Sequence, residues 1–194
     1  MNLLRKLYDW TLYKSKDPKA PWFLAIISFL ESSFFPIPPD IILIPMVLAN
    51  RIKAWTYATI CTISSVLGGV LGYFIGFFFY NSIGIIIVQY YSLEKLFSSF
   101  ETIYNEYGIL IVLGAGFTPF PFKFITIASG FFSLNLPLFI AVAFFARGLR
   151  FFLVAGLLKL FGNFIKNLID RYFNIITILF FILLIGSILL LKLL

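Results

Sequence analysis

The amino-acid sequence predicts an all-α integral membrane protein with two inverted re-entrant helical hairpins, three full transmembrane helices and interfacial amphipathic helices. Composition is the first reason, since 61% of the residues are hydrophobic and only 12% are charged, against about 25% in a typical soluble domain. The second reason is an apolar stretch that is broken by prolines and carries acids. In hydrocarbon every backbone polar group needs an internal partner, so such a break requires surrounding protein or a water-filled cavity. The third reason is that the pattern occurs twice.

The N-terminal segment 1–20 is polar and basic, and it supplies much of the net charge of +7. Basic residues beside an apolar run mark the cytoplasmic face and attract anionic headgroups, so we expect an interfacial helix with a cytoplasmic N-terminus. No nucleic-acid-binding signature accompanies it. The predicted partners are therefore membrane lipids and not nucleic acid, with a homo-oligomer left open. The basic residues are Arg5, Lys6, Lys14, Lys16 and Lys19.

Segment 21–50 is predicted to form the first re-entrant hairpin. Its break contains Pro36 and Pro38, and proline lacks an amide donor and clashes with the preceding helical turn. Limbs of roughly 14 and 10 residues reach only ~21 and ~15 Å, short of the ~30 Å hydrocarbon core. The segment is therefore expected to return to the cytoplasmic side, as the following Arg51 and Lys53 also indicate.

Segment 54–80 contains no charged residue and is long enough for a full span. Gly68, Gly72 and Gly76 lie on one helical face, which predicts close packing against other helices. Segment 81–107 combines acids with apolar residues at helical spacing, and it is predicted to be an amphipathic helix on the outer surface.

Segment 108–132 repeats the first hairpin, with its break at Pro119 and Pro121. As after the first hairpin, a full span that contains glycine follows, and it is predicted at 136–158. Asn135 is predicted to cap the N-terminus of this span. An odd number of crossings separates the hairpins, so they enter from opposite faces as an inverted repeat and both breaks lie near the midplane. A last span is predicted at 172–191.

Charged residues at predicted membrane depth are the candidate substrate- or proton-binding groups. Each costs about 2.5 to 3.5 kcal/mol near a helix centre, so these residues need mutual pairing or a polar ligand. The candidates are Glu31, Asp40, Lys123, Arg147 and Arg150.

For the two acids the sequence leaves function and structure open. Glu31 lies inside an apolar limb, where it either takes up a proton or cation or forms a static pair with Arg147 or Arg150. Asp40 follows the first break, where it either serves the same purpose or caps the second limb.

The bases have two interpretations as well. Lys123 begins a short helix, where its ammonium, the helix amides and the hydroxyls of Thr118 and Thr126 would suit a headgroup phosphate. The alternative is a pair with one of the two acids. Arg147 and Arg150, three residues apart, either clamp a phosphate together or act as counter-ions.

Enzymatic activity is not expected. The chain has no histidine and one cysteine, Cys61, in an apolar run. An internal disulfide is excluded, and the usual zinc clusters and histidine-based nucleophiles lack their residues. We predict no cofactor and no metal.

The first hairpin resembles that of the DedA membrane-protein family, also called VTT-domain or SNARE-associated Golgi proteins, and especially its small YqaA-like branch. The family pattern has a glutamate, four further residues, and then Pro-x-Pro-Gly followed by an acid. Pro39 replaces the glycine of that pattern. The matching residues are Glu31, Pro36, Pro38 and Asp40, followed by the Gly-Tyr-x-x-Gly element at Gly72–Gly76.

The second hairpin departs from the family pattern in one place. The family pattern is Arg-Phe-x-Pro, then a further arginine, then Ala-Gly. In this sequence Gly116 replaces the first arginine and Lys123 replaces the second. Phe117, Pro119, Ala128 and Gly130 fit the pattern.

The resemblance implies facing re-entrant hairpins and movement of phospholipid or polyprenyl phosphate between leaflets, coupled in some relatives to protons. The leading hypothesis is accordingly a lipid transporter or scramblase of the bacterial inner membrane. In this hypothesis Glu31 and Asp40 bind a proton or the amine of a headgroup. The phosphate is bound by the basic residues Lys123, Arg147 and Arg150. The alternative is a membrane scaffold or assembly factor that transports nothing, in which the charges only lock the hairpins together.

Overall fold

The computed structural model describes residues 17, 19–34, 38–84, 86, 90, 94–118, 120–162 and 164. Within these ranges the chain is helical and contains no strand, which confirms the predicted all-α class. Most of segment 1–20 and all of segment 172–191 lie outside the described residues, as do Pro36 and Pro119. The helices are α1 (Ala20–Ser33), α2 (Asp40–Ala49), α3 (Ala54–Phe79), α4 (Glu94–Phe117), α5 (Phe122–Phe131) and α6 (Leu136–Gly162).

The limits of these helices follow local sequence signals. Pro21 lies in the first turn of α1, where a missing amide donor costs nothing. Pro39 immediately precedes α2 and Pro121 immediately precedes α5. The predicted cap of α6 is confirmed, because the Leu138 amide donates to Oδ1 of Asn135 at 3.0 Å. A 3-10 turn (Arg51–Lys53) leads into α3, and a π-helical turn (Tyr80–Gly84) follows it.

The first half of α3 packs closely against α1, and the two helices run in parallel. The Ser28 hydroxyl donates to the Cys61 carbonyl at 2.8 Å, and the Ser33 hydroxyl donates to the Gly68 carbonyl at 2.9 Å. A Cβ atom added to Gly68 would lie 2.0 Å from a backbone oxygen of α1. Only glycine permits this approach.

The second half of α3 packs in the same way against α5. A Cβ atom added to Gly76 would lie 1.9 Å from the Ile127 carbonyl oxygen. Because α1 and α5 follow one another along α3, the end of α1 meets the start of α5 near the middle of α3. There the Thr126 hydroxyl donates to the Ser32 carbonyl at 2.9 Å.

Helix α6 lies antiparallel to α3. Phe152 near the end of α6 stacks on Trp55 near the start of α3, with 5.8 Å between ring centroids. Near the start of α6, the Phe139 ring lies 3.6 Å from the position that a Cβ of Gly69 would take. Helix α6 therefore lies along both halves of α3, the half that packs against α1 and the half that packs against α5.

Two apolar clusters lie at opposite ends of this arrangement. The first combines α1, α2, the start of α3 and the end of α6; its largest fully buried members are Leu24, Leu43, Met46 and Phe151. The second combines the end of α3, α4, α5 and the start of α6; its members include Tyr73, Val112, Phe122 and Phe139. A buried polar layer separates them, and it includes Glu31, Ser32, Ser65, Thr126 and Arg147.

The structure differs from the prediction around the second hairpin. Helix α4 continues from Glu94 to Phe117, so the predicted amphipathic segment and the first limb share one helix with no break at 107. Gly108 lies within it and, without a proline, does not interrupt the helical hydrogen bonds. The second limb is α5, which starts at Phe122 directly after the predicted break, and α6 extends to Gly162, beyond its predicted end at 158.

Two helical segments are long and apolar enough to cross a membrane. They are Arg51–Phe79, with 29 residues, and Leu136–Gly162, with 27 residues. Their outward faces carry exposed leucine and phenylalanine side chains. Examples are Leu67, Phe78, Phe144, Phe145 and Leu157.

Candidate functional site

The helix pairs α1–α2 and α4–α5, which we call the first and second hairpin, meet beside α3 and α6, and the predicted site residues lie there. We call this region the tip junction. It contains the end of α1 at Ser32, the start of α2 at Asp40, the end of α4 with Thr118, and the first turn of α5 from Phe122 to Thr126. Helix α6 reaches it through Arg147 and Arg150.

Glu31 and Arg147 form a buried ion pair. Nη2 of Arg147 lies 2.7 Å from Oε2 of Glu31, and the two side chains are only 1% and 10% exposed respectively. Nε of Arg147 donates to the Ser65 hydroxyl at 2.6 Å. The Ser65 and Ser32 hydroxyls lie 2.6 Å apart, and Ser32 donates to Glu31 at 3.1 Å. These four side chains therefore close a ring of hydrogen bonds.

The guanidinium of Arg147 is also enclosed by aromatic rings. Its carbon lies 5.1 Å from the ring centroid of Phe122 and 4.7 Å from that of Phe151. Cation–π contacts of this kind are stronger in a desolvated position. Of the alternatives for Glu31, the pair with Arg147 is the one that the structure shows.

Asp40 and Arg150 form a second ion pair, which is more open. Nη2 of Arg150 donates to Oδ2 of Asp40, and the side chains of Arg150 and Asp40 are 15% and 20% exposed. Nη1 of Arg150 donates to the Thr118 carbonyl at 2.6 Å. One guanidinium thus connects α2 of the first hairpin to the break of the second.

Asp40 lies in the first turn of α2, where an acid favours the helix N-terminus. The hydrogen bond that its carboxylate accepts comes from Arg150. Its other oxygen, Oδ1, is buried and accepts no hydrogen bond from the residues that the structure describes. A buried carboxylate oxygen without a donor is costly, so this atom is suited to accept a hydrogen bond from a ligand.

Lys123 does not pair with either acid, since Glu31 and Asp40 are engaged by the two arginines. It is half-buried in the first turn of α5, with Nζ 5.4 Å from the centroid of the Phe124 ring. The Thr126 hydroxyl, expected to meet a phosphate, donates instead to the carbonyls of Ser32 and Lys123, each at 2.9 Å.

Sequence reasoning missed Ser32 and Ser65, which complete the ring around Glu31. A small hydroxyl residue in an apolar helix is a weak signal that a neighbouring helix offers a polar group. Here both serines are fully buried. Within the described ranges no group of histidine, cysteine, aspartate and glutamate residues suits a metal ion.

Two proteins with similar sequences cover most of the chain. A Haemophilus influenzae protein described as uncharacterized is 37% identical over 157 residues, which are 81% of each chain. An uncharacterized protein of Histophilus somni is 32% identical over 161 residues, which are 81% of this chain and 82% of the relative. No family model matches the chain, and no solved structure matches it. At this identity and coverage, the chain belongs to the same family as these Haemophilus and Histophilus proteins.

Proposed function

We propose that the protein is an integral protein of the bacterial inner membrane that moves phospholipid or polyprenyl phosphate between leaflets. The observation that carries the proposal is the tip junction: charged side chains gather at mid-length of two helices that are long and apolar enough to cross a membrane. Charge at that depth is expensive and is typical of substrate or ion pathways. The resemblance to the DedA family supports the same function.

Helix length supports the re-entrant part of the proposal. Helices α1, α2 and α5 have 14, 10 and 10 residues. At 1.5 Å per residue they extend about 21 and 15 Å, whereas the hydrocarbon core is ~30 Å thick. Helices α1, α2 and α5 are therefore too short to cross the core, whereas α4, with 24 residues, extends about 36 Å, so part of it would lie outside the core. We propose that both hairpins reach only to about the middle of the membrane. The junction of their tips then lies where the barrier to a polar headgroup is highest.

The chemistry proposed for this junction is transient compensation of headgroup charge. A lipid headgroup that crosses hydrocarbon loses its hydration, and fixed cations and hydrogen-bond groups at mid-depth replace part of that solvation. Arg150 and Lys123 supply positive charge, and Asp40 supplies an acceptor. The acyl or prenyl chains stay in the surrounding hydrocarbon and need no protein site.

A scaffold without transport activity is the second candidate, and the enclosed Arg147 favours it. That side chain is 1% exposed and its charge is satisfied within the protein. A scaffold would use both ion pairs only to hold the hairpins together. The two functions make different predictions for purified protein, because only a transporter changes the distribution of lipid between leaflets.

Movement of fluorescent phospholipid in proteoliposomes tests the proposal. We expect wild-type protein to expose inner-leaflet lipid to an external quencher faster than protein-free liposomes do. Arg150→Gln should reduce the rate by about tenfold, the effect of one lost charge-assisted contact. Lys159→Gln, which removes a cation at the end of the same helix, is the matched control and should retain the rate. If the wild type moves neither phospholipid nor polyprenyl phosphate, the proposal is wrong.

A further inference from the structure

The two ion pairs of the tip junction differ in the access that a ligand would have. Arg147 donates hydrogen bonds to Glu31 and Ser65. Its guanidinium also lies against two aromatic rings, those of Phe122 in α5 and Phe151 in α6. A ligand that bound Arg147 would have to break these hydrogen bonds and unpack both aromatic side chains. Arg147 is therefore a poor exchange site despite its charge.

The Asp40–Arg150 pair has the opposite character. Both side chains are partly exposed, and no described aromatic ring covers Arg150. Oδ1 of Asp40 is buried, and no donor reaches it from the described part of the chain. An unpaired charge at this depth is costly and the two side chains are only 15% and 20% exposed, so the pair separates only when a ligand takes over the Arg150 donors at the same time. A ligand that carries both an anionic group and a hydrogen-bond donor could bind Arg150 with the first and Asp40 with the second.

Charge at the junction also favours an anion. Asp40 neutralises Arg150, whereas Lys123 has no carboxylate within salt-bridge distance among the described residues. Arg150 and Lys123 flank the second break: Arg150 donates to the Thr118 carbonyl before it, and Lys123 lies in the first turn of α5 after it. The three side chains together carry one positive charge in excess, which suits a phosphate diester.

We propose that Arg150 and Asp40 form an exchangeable anion site, in which a phosphate replaces Asp40 on the Arg150 guanidinium and Lys123 adds a second cation. The released Asp40 carboxylate accepts an N–H or O–H donor of the headgroup. The ligand class is thus a phosphate diester that carries a hydrogen-bond donor. This inference rests on the proposed function and assigns its substrate contact to one ion pair rather than to both.

Exchange at this site has a structural consequence. Arg150 holds Asp40 of the first hairpin and Thr118 of the second at the same time. A phosphate that takes over its donors loosens the connection between the two tips. The Glu31–Arg147 ring is unaffected, so the hairpins stay attached to α6 while the junction opens.

Equilibrium binding to the purified full chain tests the site. The probes are short-chain phosphatidylethanolamine, short-chain phosphatidylcholine, which lacks the donor, and inorganic phosphate. We expect Arg150→Gln to weaken binding of every phosphate probe that the wild type binds, by about tenfold. Asp40→Asn should strengthen inorganic phosphate binding by about fivefold, because it removes the competing carboxylate. The same change should reduce the preference for phosphatidylethanolamine over phosphatidylcholine.

Lys123→Gln is a second variant, since Lys123 belongs to neither ion pair and its replacement should not disturb folding. It should weaken phosphate binding severalfold, whereas Lys159→Gln should leave it unchanged. Binding of the lipids but not of inorganic phosphate supports a lipid headgroup as the ligand. Equal binding of all three probes supports the anion site but contradicts the assignment of a phosphate diester. Opposite effects of Asp40→Asn and Arg150→Gln are the signature of exchange.

The inference is overturned if both substitutions weaken phosphate binding equally, or if neither changes it. These results leave the proposed function intact, provided that the wild type still moves lipid in proteoliposomes. Conversely, a protein that binds as expected but moves no lipid retains the anion site and loses the transport proposal.

Discussion

At the residue scale, the most demanding position is Arg147, which keeps a formal charge while 1% of its side chain is exposed. Its position is tolerable because Glu31, Ser65 and two aromatic rings together replace the lost solvation. Removal of one partner of a buried pair leaves an uncompensated charge. The stability of the protein should therefore depend on the pair in a non-additive way.

The double-mutant cycle on this pair makes that dependence measurable. Glu31→Leu should lower the free energy of unfolding by about 3 to 5 kcal/mol, because Arg147 stays buried without its counter-ion. Glu31→Leu combined with Arg147→Met should restore much of the loss, since neither charge remains. Unfolding in detergent gives the values, and additive losses would show that the two residues are not coupled.

Sequence alone identified the charged residues and offered Arg147 or Arg150 as the partner of Glu31, but it could not choose between them. Glu31 and Arg147 are 116 positions apart, and Asp40 and Arg150 are 110 apart. With two acids and three bases at similar depth, the pairing depends on how α6 packs against the hairpins. That packing is decided by many small contacts, which no local pattern encodes. Ser65 was missed for the same reason, since its role exists only beside Arg147.

At the element scale, glycine decides how closely the short helices approach α3. A Cβ atom on Gly130 would lie 1.7 Å from the Tyr73 carbonyl oxygen, and one on Gly76 would lie 1.9 Å from that of Ile127. Both contacts are with backbone, which cannot move aside as a flexible side chain does. Separation of α5 from α3 is the only way to relieve them.

Alanine substitution of these glycines tests the packing. Gly76→Ala should destabilise the protein by about 1 to 3 kcal/mol, the usual cost of overpacking, or more if α5 separates. Gly114→Ala is the matched control in α4, because a Cβ there meets nothing within 4 Å, and it should stabilise the helix slightly. Equal thermal stability of the two variants would contradict the packing described here.

Helix limits could be predicted where proline marks them and not elsewhere. Prolines precede α2 and α5 directly, and the predicted breaks fall there. The continuity of α4 across position 107 was missed, because a change from amphipathic to apolar sequence alters the environment of a helix without ending it. The glycine face of α3 was visible in the sequence as spacing, although its two different partners were not.

At the scale of the whole molecule, charge is distributed unequally between the two ends. Lys19, Arg51, Lys53 and Lys159 lie at the end formed by the first hairpin and the end of α6. Glu101 and Glu106 lie in α4, on the other side. Under the positive-inside rule we expect the basic end to face the cytoplasm.

Site-directed labelling tests this orientation. In a Cys61→Ala background, Lys53→Cys should react with a membrane-impermeant thiol reagent only after the inner membrane is opened. Thr102→Cys should react in intact spheroplasts. Both positions are exposed, so reactivity reports the side of the membrane rather than burial. The reverse pattern would show that the protein has the opposite orientation.

The central claim is that the tip junction handles lipid and does more than hold the hairpins together. The charge-swapped variant Asp40→Arg/Arg150→Asp, assayed for phospholipid movement in proteoliposomes, tests it most directly. The swap rebuilds an ion pair across the same helices, so thermal stability should stay near that of the wild type. The account predicts that lipid movement falls by about tenfold. A swapped protein that is stable and moves lipid at the wild-type rate would contradict it.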